Sequence, residues 1–472
     1  MRTAFCVCFL ALALAACVSS PPTKPQERRI EPASLGLGTV QTPQIAEAWW
    51  KAFDAPKLDD LITQALQGNP NLKVALARVR GAQSQLAASI ASTYPQGTFD
   101  GNVDRERLSS DYIIPPPYAG TTRWVGTLQA NLSYSLDLFD KEQDQIDRAR
   151  ASARGAALDE QAARLLLAGN VTQAYIALSR AWALCDVADE AVKQREGVLK
   201  LSVERVRAGL DTVASQHQAE ALLALAREEQ VRTKALRDIA VHQIAALVGR
   251  GADAYDIPRP VFNEAALALP DALPADLLAR RADVAAAEAR INAAVSGREI
   301  ARKAFYPDIN LVALAGTAAI GLGPLFSSEA GQYGGGAAIH LPIFDAGKLR
   351  AQYAGATADL DGAVADYNST VVNAVRQASD GITNLRAIDG EAAQQHAALR
   401  AVEQSFDLTV KRYKNGLNPL QTTLDAESVL IQARRDNASL SADAASARVS
   451  LLMALGGGFD GSKLISKDDD HG

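Results

Sequence analysis

The chain has little of what a large globular enzyme core is built from. Only 6% of its 472 residues are aromatic, and there are two methionines. It has four cysteines, Cys6, Cys8, Cys17 and Cys185, and the first three fall within the opening 17 residues. That leaves no pairable set for a disulfide framework or a zinc cluster. Cys185, in the stretch Trp182-Ala183-Leu184-Cys185-Asp186-Val187-Ala188, reads as a small buried apolar residue. There is no basic excess, since 48 Lys and Arg face 54 Asp and Glu, which excludes nucleic acid as the expected partner. The five histidines are scattered without ligand spacing, there is no Gly-x-Ser-x-Gly, and Gly347-Lys348 lacks the rest of a P-loop. Nothing supports catalysis or a cofactor. Long apolar runs are missing as well. The one uncharged stretch of spanning length, Ile309–Ser328, is punctuated by Gly316, Gly321, Gly323 and Pro324.

What is abundant is alanine, at 90 residues. Alanine has the best helix propensity and lets helices approach closely, so long helices packed side by side are expected. The first 16 residues form a leader, with Arg2 followed by the uncharged stretch Ala4–Ala16. It ends in Leu14-Ala15-Ala16-Cys17, the pattern of a bacterial lipobox with Cys17 as the lipidated first residue of the mature chain. The alternative is an ordinary signal peptide cut at a small residue. Residues 17–45 then read as an acylated tether rich in Pro, Ser and Thr.

An internal repeat organises the rest. Residues 203–227 match 410–434 at nine of 25 positions under a shift of 207. Tyr94-Pro95 recurs as Tyr306-Pro307, and Leu138-Phe139-Asp140 as Ile343-Phe344-Asp345, in the same order. The chain is a duplication, with copies over 46–250 and 274–455, a connector at 251–273 and a disordered tail at 456–472. Each copy begins with a lead-in helix, about 57–92 or 275–305, broken by Tyr-Pro. Strands are expected at about 98–108 and 121–138, then at about 308–319 and 332–344. Long helices follow at about 140–208 and 212–247, then at about 345–415 and 419–455. The first helix of each pair has no proline and would reach roughly 100 Å. Gly209 and Gly416 cap these helices, so each copy ends in a hairpin tip. Asp211-Thr212 and Asn418-Pro419 supply the start signals of the returning helices.

Residues 123–138 alternate strictly, with Trp124, Leu128, Leu132 and Tyr134 on one face and Arg123, Gln129, Asn131 and Ser133 on the other. Strands this long, in an exported chain, suit a transmembrane β-barrel. Four strands cannot close one, and open edges are not tolerated in lipid, so several chains must share a barrel.

Several motifs together resemble the TolC-type outer-membrane efflux channels, in particular the lipidated OprM/NodT-like branch. They are Cys17 in its lipobox, Asn69-Pro70-Asn71-Leu72, Arg280-Arg281-Ala282-Asp283, Phe305-Tyr306-Pro307, Leu341-Pro342-Ile343-Phe344-Asp345-Ala346-Gly347, and Arg412-Tyr413-Lys414-Asn415-Gly416 running to Leu424-Asp425-Ala426. Ala282 departs from that branch, which usually has proline at this helix start. The resemblance implies a mainly α fold with a transmembrane β portion. It implies a homotrimer whose twelve strands form one outer-membrane barrel above a periplasmic helical tunnel. It further implies a passive exit duct for drugs or other toxic small molecules, served by an inner-membrane pump through a periplasmic adaptor.

By the same resemblance, Asp425 occupies a gate-aspartate position, and Tyr413 and Arg412 hold the closed state by inter-helix bonds. Gln421 stands where that branch usually has a gate leucine. Gly209, Leu210, Gly416 and Leu417 match the tip residues that touch the adaptor, while capping alone would also account for the glycines. Three copies of Asp425 around a narrow axis would favour cations. The rival reading is an exported coiled-coil lipoprotein acting as adaptor or structural protein. Adaptors carry one hairpin, however, and this chain carries two.

Overall fold

A computed structural model describes residues 23–36, 45–111, 113–251, 257–261 and 276–460. The leader, Cys17, about half of the tether and most of the connector and tail lie outside the described residues. The rest forms two compact units, and each takes stretches from both sequence copies. One is built from Arg78–Ala156 and Ala287–Tyr367 with the stretch ending at Arg29. The other is drawn from Ile30–Ala77, Ala157–Ala286 and the chain from Asn368 onward.

The first unit holds a four-stranded antiparallel sheet in the order β1-β2-β3-β4. Its strands are β1 (Gln96–Arg107), β2 (Thr122–Leu136), β3 (Asp308–Ile320) and β4 (Gly331–His340). The central pairing, from Val125↔Ile320 to Leu136↔Ile309, joins the two sequence copies. Cross-strand register places Phe99, Val103, Trp124, Leu128, Leu132, Tyr134, Ile309, Leu311, Ala313 and Ile339 on one face. Asp100, Asn102, Gln129, Asn131 and Asn310 fall on the other. The polar face is hydrogen-bonded within itself. Asn131 donates to the Asp100 carboxylate at 2.7 Å, and Asn102 to Asp104 at 2.6 Å. β4 stops at His340 instead of continuing to 344, because Pro342 has no N–H for the ladder.

Glycine is required at 316. A Cβ there would fall within the contact distance of the Leu128 carbonyl oxygen and the Gln129 backbone. Gly316→Ala should therefore force β2 and β3 apart, at about 1–3 kcal/mol. A melting midpoint in detergent equal to that of the wild type would contradict this.

The helices repeat in length as the sequence does. The lead-in of the first copy is two helices, α1 (Pro56–Gly68) and α2 (Pro70–Ala91), not the single helix expected over 57–92. Asn69 makes the break. It is extended, as a residue before proline should be, and its Oδ1 accepts from Asn71 N–H at 2.9 Å and Leu72 N–H at 3.2 Å. The long helices α3 (Lys141–Arg207) and α6 (Lys348–Lys414) both have 67 residues. Their returning partners α4 (Val213–Leu247) and α7 (Leu420–Ala454) both have 35. Between α4 and α6 in chain order lies α5 (Ala282–Lys303). Asp137 and Asp345 begin the long helices, accepting from Lys141 N–H at 2.7 Å and Leu349 N–H at 2.6 Å. Pro419 is the N-cap of α7 and not its first helical residue, so Asn418 is left outside the helix.

The second unit's core joins Trp49, Phe53 and Ile62 to Val171, Tyr175, Leu178, Ile244 and Val449. Ala168, Ala174, Ala240, Ala442 and Ala445 are buried in the same cluster, where a larger side chain would separate the helices. Arg281 is buried beside it. Its guanidinium grips the Asp283 carboxylate with two bonds and donates to Ala454 O at 2.8 Å, closing the C-terminus of α7. Cys185 is buried as expected, and burial pushes its thiol pKa up, away from reactivity.

Candidate functional site

Two turns that match atom for atom carry the hairpin tips. Gly209 N–H donates to Val206 O at 3.0 Å and Leu210 N–H to Arg205 O at 2.8 Å. Gly416 N–H donates to Tyr413 O and Leu417 N–H to Arg412 O, both at 2.9 Å. These are the paired bonds of a Schellman cap, and they need a left-handed residue. Gly209 has φ +69° and Gly416 +71°. The following leucines point outward, Leu210 at 65% exposure and Leu417 at 66%. Both are apolar groups that the folded chain leaves uncovered.

Tyr413 lies just inside the second tip and is 1% exposed. Its ring packs with Ala219, Leu420 and Leu424. Its hydroxyl crosses to the other hairpin and donates to Asp211 Oδ2 at 2.8 Å. Arg205 lies over the ring at 4.7 Å from its centre, donates to Tyr413 O at 3.2 Å and sits 3.8 Å from the Asp211 carboxylate. Burial and the Asp211 contact push the Tyr413 phenol up to about 12. For Asp211, burial works toward a higher pKa, but hydrogen bonds from Ser215, Tyr413 and Thr212, with the Arg205 charge, outweigh it and lower the carboxyl.

The other expected gate residues are placed differently. Gln421 Nε2 donates to Asp425 Oδ1 at 2.7 Å, one turn along α7, and Gln421 Oε1 accepts from Gln218 at 2.5 Å. Both Gln421 and Asp425 are exposed. Gln218, Gln421 and Asp425 thus form a polar chain across the hairpins. The Arg412 side chain is exposed and has no hydrogen bond or ion pair among the described residues. Within this chain the inter-hairpin contact to Tyr413 is made by Arg205, the counterpart of Arg412 in the first copy.

Arg205 and Gln218 are not among the expected site residues and Asp211 is expected only as a helix start, although a signal is there. Under the shift of 207, Tyr413 faces Val206, Asp211 faces Asn418 and Gln218 faces Asp425. Apart from Arg205, which matches Arg412, the network is built from positions where the two copies differ. A further group is Glu427 on α7, which is fully buried, with neither carboxylate oxygen hydrogen-bonded. Arg195 Nε stands 3.8 Å away, while its Nη1 donates to Leu222 O at 2.5 Å. Burial raises the Glu427 pKa to about 7, with the Arg195 charge opposing.

A sheet with one apolar face, 10 to 15 residues per strand, is long enough to cross an outer membrane. Among the described residues no helix is long and apolar enough to do so. Sheet and paired hairpins together define an outer-membrane channel protein. The chain belongs to the outer membrane efflux protein family, whose family model matches residues 61–250 and 273–457. It is 36% identical over 369 residues to the fusaric acid resistance protein FusA of Burkholderia cepacia, covering 75% of this chain and 69% of that protein. It is 28% identical over 419 residues to the multidrug resistance outer membrane protein MdtQ of Escherichia coli O6:H1, covering 87% and 88%. The crystal structure of the outer membrane protein VceC of Vibrio cholerae superposes with a TM-score of 0.82 at 31% identity, covering 89% of this chain and all of that one. The chain is thus an outer-membrane efflux channel, as the sequence motifs implied.

Proposed function

We propose that three copies of the chain share one barrel and form a passive duct for toxic small molecules, fed by an inner-membrane pump through a periplasmic adaptor. The observation that carries the reading is the open sheet. β1 and β4 each have one unpaired edge, and lipid does not tolerate unpaired backbone. Three copies joined edge to edge give twelve strands, within the range of known barrels. The relatives named for fusaric acid and multidrug resistance support small organic cargo. Lipidation at Cys17 would hold the mature N-terminus at the membrane.

The hairpin tips are the adaptor contacts in this reading. Leu210 and Leu417 offer exposed apolar side chains on rigid caps, which suits docking into a partner's groove. The Tyr413–Asp211–Arg205 network ties the hairpins together just inside the tips and serves as the closed-state latch. Gln421 and Asp425, with Gln218, line the constriction as a polar filter, and Arg412 is free to reach a neighbouring copy. Docking at the tips would loosen the latch and open the duct.

A trimer that is stable in mild detergent and dissociates on heating is the expected state. A monomer under those conditions would sink the shared barrel. Cysteines placed at Leu210 and Leu417 and joined by a bifunctional cross-linker should stop export of a toxic test compound while trimers still assemble. Continued export would remove the tips from the mechanism.

A further inference from the structure

The apolar face of the sheet carries two charges along its four strands, and both are at one place. Cross-strand register puts Arg105 opposite Trp124 and Arg107 opposite Thr122, on the face of Phe99, Val103, Leu128 and Tyr134. The Arg105 guanidinium lies 5.9 Å from the centre of the Trp124 ring, which fixes it on that face. The acidic residues of β1, Asp100, Asp104 and Glu106, alternate onto the opposite face and cannot neutralise it. Neither arginine has an ion pair within the chain among the described residues, and both are exposed. Charged side chains on the lipid side of a barrel are destabilising at mid-depth and tolerated only near the rim. Arg105 and Arg107 are the last residues of β1 before the loop 108–121, at the end of the sheet away from the long helices. In the membrane this end lies at the outer leaflet.

The neighbouring loop completes the surface. After β3 the chain folds back over the same face, so that Leu325 covers Gly126 and is itself buried, leaving Phe326 79% exposed beside it. Two guanidinium groups, an indole and an exposed phenyl therefore share one rim on the lipid side. Guanidinium groups suit phosphate, with two donors per contact, and the indole and phenyl suit the headgroup–acyl boundary.

The geometry points to a binding site for an anionic membrane lipid whose headgroup carries phosphomonoesters, on the outer-leaflet rim of the barrel, with Arg105 and Arg107 holding the phosphate. Trp124 and Phe326 flank the first segment of its acyl chains. The site rests on the membrane-spanning reading of the sheet and is independent of the gate.

The test uses the full protein in phosphatidylcholine vesicles, with or without added diphosphorylated lipid A, and counts retained lipid by native mass spectrometry after detergent release. The wild type should retain the diphosphorylated lipid A in preference to phosphatidylcholine. Arg105→Gln with Arg107→Gln should weaken that preference on the order of tenfold. Arg123→Gln, on the opposite face, should leave it unchanged, and a lipid A lacking phosphate should show no difference between wild type and double variant. Equal retention by the double variant, or equal loss in Arg123→Gln, would overturn the site. A chain that enters no vesicle would overturn the spanning reading and the site together.

Discussion

Tyr413→Phe is expected to turn a largely closed channel into one that conducts in a planar bilayer. The substitution removes one oxygen. The ring still fills its buried place against Ala219, Leu420 and Leu424, so the fold is retained. What is lost is the 2.8 Å bond to the Asp211 carboxylate, the side-chain hydrogen bond from Tyr413 to the opposite hairpin. A buried hydrogen bond to a charged acceptor contributes roughly 1.5–3 kcal/mol. That is roughly ten- to a hundredfold in the opening equilibrium of each hairpin pair. If three chains form the constriction, the effects compound. A double variant with Asp211→Ala should open little further than Asp211→Ala alone, because that change already removes the acceptor of the Tyr413 bond. Unchanged conductance in Tyr413→Phe would take this residue out of the gate.

The pH behaviour of the latch follows from the same groups. Asp211 titrates below its usual range, so its contribution is complete above the ordinary carboxylate pKa of about 3.9 and is lost as pH falls through the lowered value. Tyr413 is raised to about 12, so its contribution is lost only as pH rises through that value. Between roughly pH 5 and 9 the latch has no titrating member. The conductance difference between wild type and Tyr413→Phe should be flat across that range.

The sequence showed the fold where one pattern recurs. Alternation marked β2, and proline-free runs closed by glycine marked α3 and α6 with their tips. What it hid were breaks decided by single residues. Asn69 splits the first lead-in helix because a proline follows it, and Pro342 ends β4 early although the apolar pattern runs on. Among the proposed gate residues, the motifs pointed to Tyr413 but not to the acceptor of its hydroxyl. Asp211 looks like an N-cap in sequence, and its Oδ1 does accept from Thr212 N–H at 2.9 Å, while Oδ2 is the atom that reaches the other copy 202 residues away. A local pattern cannot show both uses of one carboxylate.

Glu427→Gln should stabilise the protein at pH 8 and change little at pH 4.5. Glu427 is sealed inside the second unit, and in the charged form neither oxygen has a hydrogen bond to replace lost water. Arg195, 3.8 Å away and already bonded to Leu222 O, does not compensate, so the folded chain favours the protonated acid. The pKa rises from 4.5 to about 7 on burial. A raised folded-state pKa means that stability is complete below about 4.5, declines as pH rises toward about 7 and is flat above it. The full span corresponds to about 3 kcal/mol per chain, an upper figure for a group paired with a cation. The neutral amide has the same shape and removes that slope. Arg195→Gln should act in the opposite sense, steepening the decline and extending it to higher pH, because the one opposing charge is gone. Thermal midpoints measured across pH 4.5 to 9 distinguish the outcomes. Parallel curves for wild type and Glu427→Gln would show that Glu427 is ionised throughout and that Arg195 sustains the buried charge after all.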